Sequence, residues 1–191
     1  SSDDVSGLVK VVPSSVAVGS GSGSVDFNGN VSFSSASSIS LNNVLSTTYD
    51  NYRFIFNATV NGTSTTTELR FRLRTSSGDD STNYYVGGVS AMYVGGTTIP
   101  LAAGVQPGTY CPINLAYYNG APISLSVDLR NINGSTRQLN GVTNTGGGAS
   151  AGYGICAMET YTTSSTHTGI TLYSSSAMTF SGTMAIYGYT K

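Results

Sequence analysis

Apolar and polar residues alternate along most of the chain with a period of two, as they do in a strand with one buried face. Tyr52–Val60 reads YRFIFNATV and stops at Asn61-Gly62. Glu68–Thr75 reads ELRFRLRT, with Leu69, Phe71 and Leu73 on one side and Arg70, Arg72 and Arg74 on the other. The same reading predicts strands at Val25–Phe27, Val31–Phe33, Ile39–Leu41, Tyr84–Val94, Ile113–Tyr118, Ile123–Leu129, Gln138–Thr143, Tyr153–Tyr161, Ile170–Tyr173 and Met178–Tyr189. Between the first two of these, Asn28-Gly29-Asn30 is a hairpin signal. No window keeps a 3.6-residue period between capping residues, so almost no helix is expected. The pattern predicts an all-β chain: an antiparallel β-sandwich, jelly-roll-like, of about ten strands. No repeat recurs at a fixed period, which argues against a propeller or solenoid.

Residues 1–24 break the pattern. Gly7–Pro13 is a short apolar segment ending at a proline, and Gly19–Ser24 alternates Gly and Ser as a flexible linker or loop tip does. The expected domain plan is an extended N-terminal arm, residues 1–24, that attaches the protein to something, followed by the sandwich over residues 25–191. Leu8, Val9, Val11 and Val12 are its apolar contacts, because such side chains need a cover in water.

Composition sharpens this. Charged residues are 9 % of the 191, far below the quarter usual in soluble domains, and the net charge is −1. No field therefore draws the chain to nucleic acid or an acidic membrane, and neither partner is expected. The 30 Ser, 24 Thr and 24 Gly disfavour helix and give a surface of hydroxyls and amides. No apolar run of 18 residues exists to insert in a membrane as a helix. Ser1-Ser2-Asp3-Asp4 does not read as a signal peptide. Four Asn-x-Ser/Thr triplets, at Asn30, Asn57, Asn61 and Asn133, are expected by chance in so Ser/Thr-rich a chain. Cys111 and Cys156 form no CxxC pair and read as buried thiols, with a bridge between them the alternative.

Candidate chemistry is sparse. His167, the lone histidine, lies in the loop-like Ser164–Gly169 without a strand-turn-helix serine elbow, and reads as a solvated loop residue. Glu68, Asp128 and Glu159 fall on separate strands, so no glycosidase-type carboxylate pair is evident. No catalytic residue, cofactor or metal is expected. Gly78–Asn83 offers clustered oxygens that could hold calcium but reads first as a polar turn. Arg70, Arg72 and Arg74 form a row of like charge, either solvated or paired across a subunit interface or with an anion. Adjacent tyrosines at 84–85 and 117–118 place one ring of each pair away from the core, a surface suited to saccharides or self-association. A receptor or glycan site, if present, is expected among Asp79, Asp80, Asn83, Tyr84, Tyr85, Tyr117 and Tyr118.

Four stretches together carry a resemblance: GLVKVVPSSV at 7–16, TYDNYRFIFNATV at 48–60, LRFRLRTSSGDDSTNYY at 69–85 and FSGTMAIYGYTK at 180–191. They resemble virion proteins of tailed bacteriophages, of the minor-tail, tail-fibre and head-fibre kind. The resemblance implies a β-sandwich on the virion surface, a homotrimer joined to capsid or tail proteins by the arm and assembled in the host cytoplasm. It carries over no catalytic residue. The chain lacks a long shaft, which suits a head fibre, a capsid decoration or the terminal knob of a receptor-binding device, with a host-surface glycan as a further partner. The competing reading is a glycan-binding or glycan-hydrolysing module of depolymerase type, against which the lone histidine and scattered carboxylates weigh.

Overall fold

The structure is a computed structural model and describes residues 7–62, 69–82, 84–94, 97–114, 120, 122–147, 150–161, 166–175 and 177–190. Among these there are sixteen strands and no helix. They are β1 (Leu8–Val11), β2 (Ser15–Val18), β3 (Ser22–Val25), β4 (Val31–Ala36), β5 (Ser38–Asn42), β6 (Tyr52–Asn61), β7 (Leu69–Thr75) and β8 (Gly78–Asp79) in the first half. The second half holds β9 (Tyr84–Val94), β10 (Thr97–Gly108), β11 (Cys111–Asn114), β12 (Pro122–Arg130), β13 (Thr136–Gly147), β14 (Ser150–Tyr161), β15 (Gly169–Ser174) and β16 (Thr179–Tyr189).

Two antiparallel sheets pack face to face as a β-sandwich. The smaller sheet, β11-β7-β15-β5-β2, packs across the larger one, with β2 against β3 and β4, Phe71 of β7 on Phe54 of β6, and β11 against β14, β9 and β13. In chain order β4, β5, β6, β7, β11, β12, β15 and β16 cross from one sheet to the other at every step except β7 to β11, as in a jelly roll. The first sheet continues past β12 through β13, β14 and β9 to β10 at its far edge.

Period-two patterning selects the buried face. In β6, Tyr52, Phe54, Phe56, Ala58 and Val60 face inward, and in β7 Leu69, Phe71 and Leu73 do. The layers meet through stacked rings, Phe54 and Phe71 5.6 Å apart at 5°, while Phe33 and Phe56 stack at 5.4 Å within the larger sheet. The Asn28-Gly29 signal forms the β3–β4 hairpin, with Val25 opposite Val31. Gly29 adopts φ +76°, a left-handed conformation open to glycine at no steric cost. Asp26 closes the turn by accepting from the backbone of Asn28 and Asn30. The expected strand through Phe27 ends earlier, at Val25, and Phe27 stands in the turn, exposed.

Where residues 1–24 are described, they pair into both sheets. β1 pairs with β16 (Leu8 opposite Tyr189), β2 with β5, and β3 with β4. The boundary at 24 falls inside β3, and the Gly/Ser run is the turn and strand that lead into β4. Val11, Val16, Val18 and Val25 pack against the core, while Leu8 and Val12 stay exposed. Serine and glycine form strands here because the neighbouring strands supply the pairing partners that propensity does not. The sequence does not predict β10, whose pattern Pro100 and Pro107 interrupt, and an edge strand tolerates proline.

Candidate functional site

At one end of the sandwich, the connections β5–β6, β12–β13 and β14–β15 converge beside the segment after β8. His167 stands just before β15 and is buried, with its side chain fully covered. The expectation of a solvated loop histidine is corrected: Thr168 donates its N–H to Arg74 and accepts from Val44 and Leu45, which draws this segment onto the sheet. The His167 Nε2 lies 2.9 Å from Asp80 Oδ2. Burial pushes the imidazole pKa below its ordinary value, and the Asp80 hydrogen bond only partly opposes this. Burial raises Asp80, but hydrogen bonds from His167 and Thr82 outweigh it and hold the carboxyl below its ordinary value. In its neutral form the imidazole donates from Nε2 to the Asp80 carboxylate, which makes Nδ1 the acceptor nitrogen. Nδ1 is buried without a hydrogen-bond partner among the described residues, an arrangement that costs about 1–3 kcal/mol when nothing compensates it.

His167 lines a cavity of about 190 Å³ with Arg137, Ile132, Asn133, Ser46 and Thr47. Arg137 is 6 % exposed, and its Nε donates to the Ile132 carbonyl at 3.0 Å. Burial lowers its pKa, with Asp80 acting in the opposite direction. Sequence reasoning missed Arg137. The signal was present: alternation in β13 sets Arg137 on the same inward face as Leu139 and Gly141. An arginine in a core register needs partners there.

Of the residues expected in a receptor site, Asp79, Asp80 and Tyr84 stay together but are bonded to the protein itself. Asp79 and Asp80 are adjacent, but their oxygens are engaged by protein donors. Asp79 pairs with Arg74 and accepts from Thr171, and Asp80 accepts from Thr82 and His167. The 78–82 segment is thus a turn tied to the sheets. Tyr84 is the inward ring of its pair. It is 1 % exposed, accepts from Leu73 N–H at 2.9 Å and donates to the Asp80 carbonyl at 2.8 Å, and burial raises its pKa. Tyr85 is half-buried on the opposite side. Asn83, Tyr117 and Tyr118 lie outside the described residues.

Each arginine of the row has a contact within the chain. Arg74 Nη1 reaches Ser40, Thr171 and Asp79, and its Nε reaches Asn42 at 3.2 Å. Arg72 donates to the Thr109 carbonyl and lies 4.9 Å from the Tyr173 ring centre. Arg70 stacks 3.9 Å over Tyr110. Like charge along β7 is tolerated because each guanidinium has its own acceptor or ring.

No family model matches the chain, and no curated protein or solved structure matches it.

Proposed function

We propose that the chain is a structural subunit on the exterior of a bacteriophage particle, self-associated as a homotrimer and acting through shape and assembly without a reaction of its own. One observation carries this reading. Residues 81–127 and 138–158 contain no Asp, Glu, Lys or Arg, and they supply β9, β10 and most of β13 and β14. These strands extend the larger sheet beyond β12, while the second sheet ends at β11, which lies against β14 and β9. At the far edge, β10 pairs only with β9 among the described residues. A charge discourages pairing at an edge strand, and this one carries none, although Pro100 and Pro107 remove two of its N–H donors. A further copy of the same chain meets no electrostatic penalty there, and its interface would bury the 1,200–2,000 Å² or so typical of specific complexes.

The resemblance of the 48–60, 69–85 and 180–191 stretches to phage virion proteins supports the location. Light scattering on the purified chain and mass spectrometry of phage particles test the reading together. A trimer that is also a particle component is expected; a monomer absent from particles overturns it.

A further inference from the structure

Beyond assembly, and independently of it, we infer that the cleft beside Arg74 binds the carboxylate of an acidic sugar residue. The start of β2, the ends of β5 and β7 and the segment before β15 surround an open cleft of about 440 Å³, whose walls include Ser15, Asn42, Asn43, Arg74, Ser76 and Thr168. The Arg74 side chain is 19 % exposed, and its nitrogens are unevenly served. Nη1 contacts three acceptors, on Ser40, Thr171 and Asp79. Nε donates to Asn42 Oδ1 at 3.2 Å, and Nη2 has no hydrogen-bond partner among the described residues. Nε and Nη2 share one edge of the guanidinium, the edge that fits a carboxylate through two parallel bonds. Arg53 makes this grip in the same protein, with its Nε and Nη2 each 2.8 Å from an Asp128 oxygen. Arg74 turns the corresponding edge toward Asn42, on the cleft wall, with one of its two nitrogens unused.

The rest of the cleft is rich in donors. The Ser76 and Thr168 hydroxyls bond to no described residue, and Ser15 Oγ accepts from Asn42 and keeps its own proton to donate. Such a set calls for a ligand rich in acceptors, and a carboxylate only accepts. Every described side chain on the cleft is polar, which disfavours a fatty or aromatic acid and suits a ring with hydroxyls of its own. Asn43 Oδ1, which accepts from no described residue, can take one of those hydroxyl protons. Charge agrees. Asp79 takes Nη1 and not the free edge, while Arg72, on the same face of β7, makes no ion pair among the described residues. The two arginines therefore outweigh the one carboxylate. Size agrees as well, because about 440 Å³ falls within the roughly 300–1,000 Å³ of small-ligand pockets.

The test uses the full chain with glucuronate, galacturonate, glucose, galactose and acetate as probes. Saturation-transfer NMR reports binding, and the amide shifts of Ser15, Asn43, Ser76 and Thr168 report where it occurs. At least one uronate is expected to bind and move these amides, with the neutral sugars and acetate at least tenfold weaker. Arg74→Lys keeps the charge but removes the paired edge, and is expected to weaken uronate binding at least tenfold. Ser76→Trp, an exposed change that fills the cleft and breaks no bond to a described residue, is expected to do the same with an unchanged melting midpoint. The inference is overturned if no uronate moves these amides, if a neutral sugar or acetate binds as tightly as the uronates, or if folded R74K or S76W binds unchanged. Each readout comes from the isolated protein, so it can fail while particle mass spectrometry supports the assembly reading, or the reverse.

Discussion

His167 Nε2 lies 2.9 Å from Asp80 Oδ2, joining residues 87 positions apart in the chain. The contact makes folding depend on pH in one direction. Burial favours the neutral imidazole, so the folded pKa is below the ordinary 6.5. The unfolded chain then takes up a proton first as pH falls. Stability is complete above about pH 6.5 and declines below it. Asp80 acts in the same sense further down: its lowered pKa contributes stability above about 3.8 that is lost in stronger acid. Thermal melts from pH 8 to pH 5 should show a falling midpoint, flattened in His167→Gln. A level wild-type profile would remove the buried neutral imidazole from the account.

The three arginines of β7 should contribute unequally. Arg74 serves Asp79 together with Ser40 and Thr171, both buried. Arg74→Met leaves those polar groups short of a partner and is expected to cost about 1–3 kcal/mol. Arg70 stacks on Tyr110, and Arg70→Met should cost about 0.5–1 kcal/mol. Urea titration of both variants ranks them. Equal losses, or a larger loss at Arg70, would contradict the network centred on Arg74.

The contrast between β7 and β1–β3 separates what could be read along the chain from what could not. Leu69, Phe71 and Leu73 alternate with arginines, so face and strand follow from the residues alone. Ser22–Val25 has no such alternation, and its strand exists because Ser32 and Ser34 of β4 stand opposite. The site divides the same way. Asp80 was visible as a polar turn residue, but its meeting with His167 depends on how two distant connections cross one end of the sandwich. An adjacent tyrosine pair shows that one ring faces inward but not which, so the sequence leaves Tyr84 and Tyr85 undivided. The hydrogen bonds to Leu73 and Asp80 decide that.

The closing strand carries a close contact that explains part of the IYGY stretch. A Cβ on Gly188 would lie 2.3 Å from the Tyr49 ring. Tyr49 in turn meets Tyr52 edge-on at 5.7 Å. Gly188→Ala must push the ring aside, at an expected cost of about 1–3 kcal/mol. Adding Tyr49→Ala removes the clash, so the double variant should lose less than the two single variants combined. Additive losses in a denaturation cycle would mean that the two positions do not press on each other.

Deleting residues 1–24 is the sharpest test of the fold. The deletion removes β1, β2 and most of β3, along with the half-buried Val11, Val16 and Val18 that cover the core. Fully burying a valine is worth about 1.5–3 kcal/mol, so three half-buried ones lose a few kcal/mol in total. The deletion also uncovers the backbone edge of β5, which β2 occupies in register from Ser15 opposite Asn42 to Val18 opposite Ile39. A bare edge invites pairing between chains. The truncated protein should therefore melt well below the full chain and aggregate on size-exclusion chromatography. An unchanged melting midpoint and a clean elution peak would instead make residues 1–24 a detachable arm, and would make the pairing of β1 with β16 dispensable.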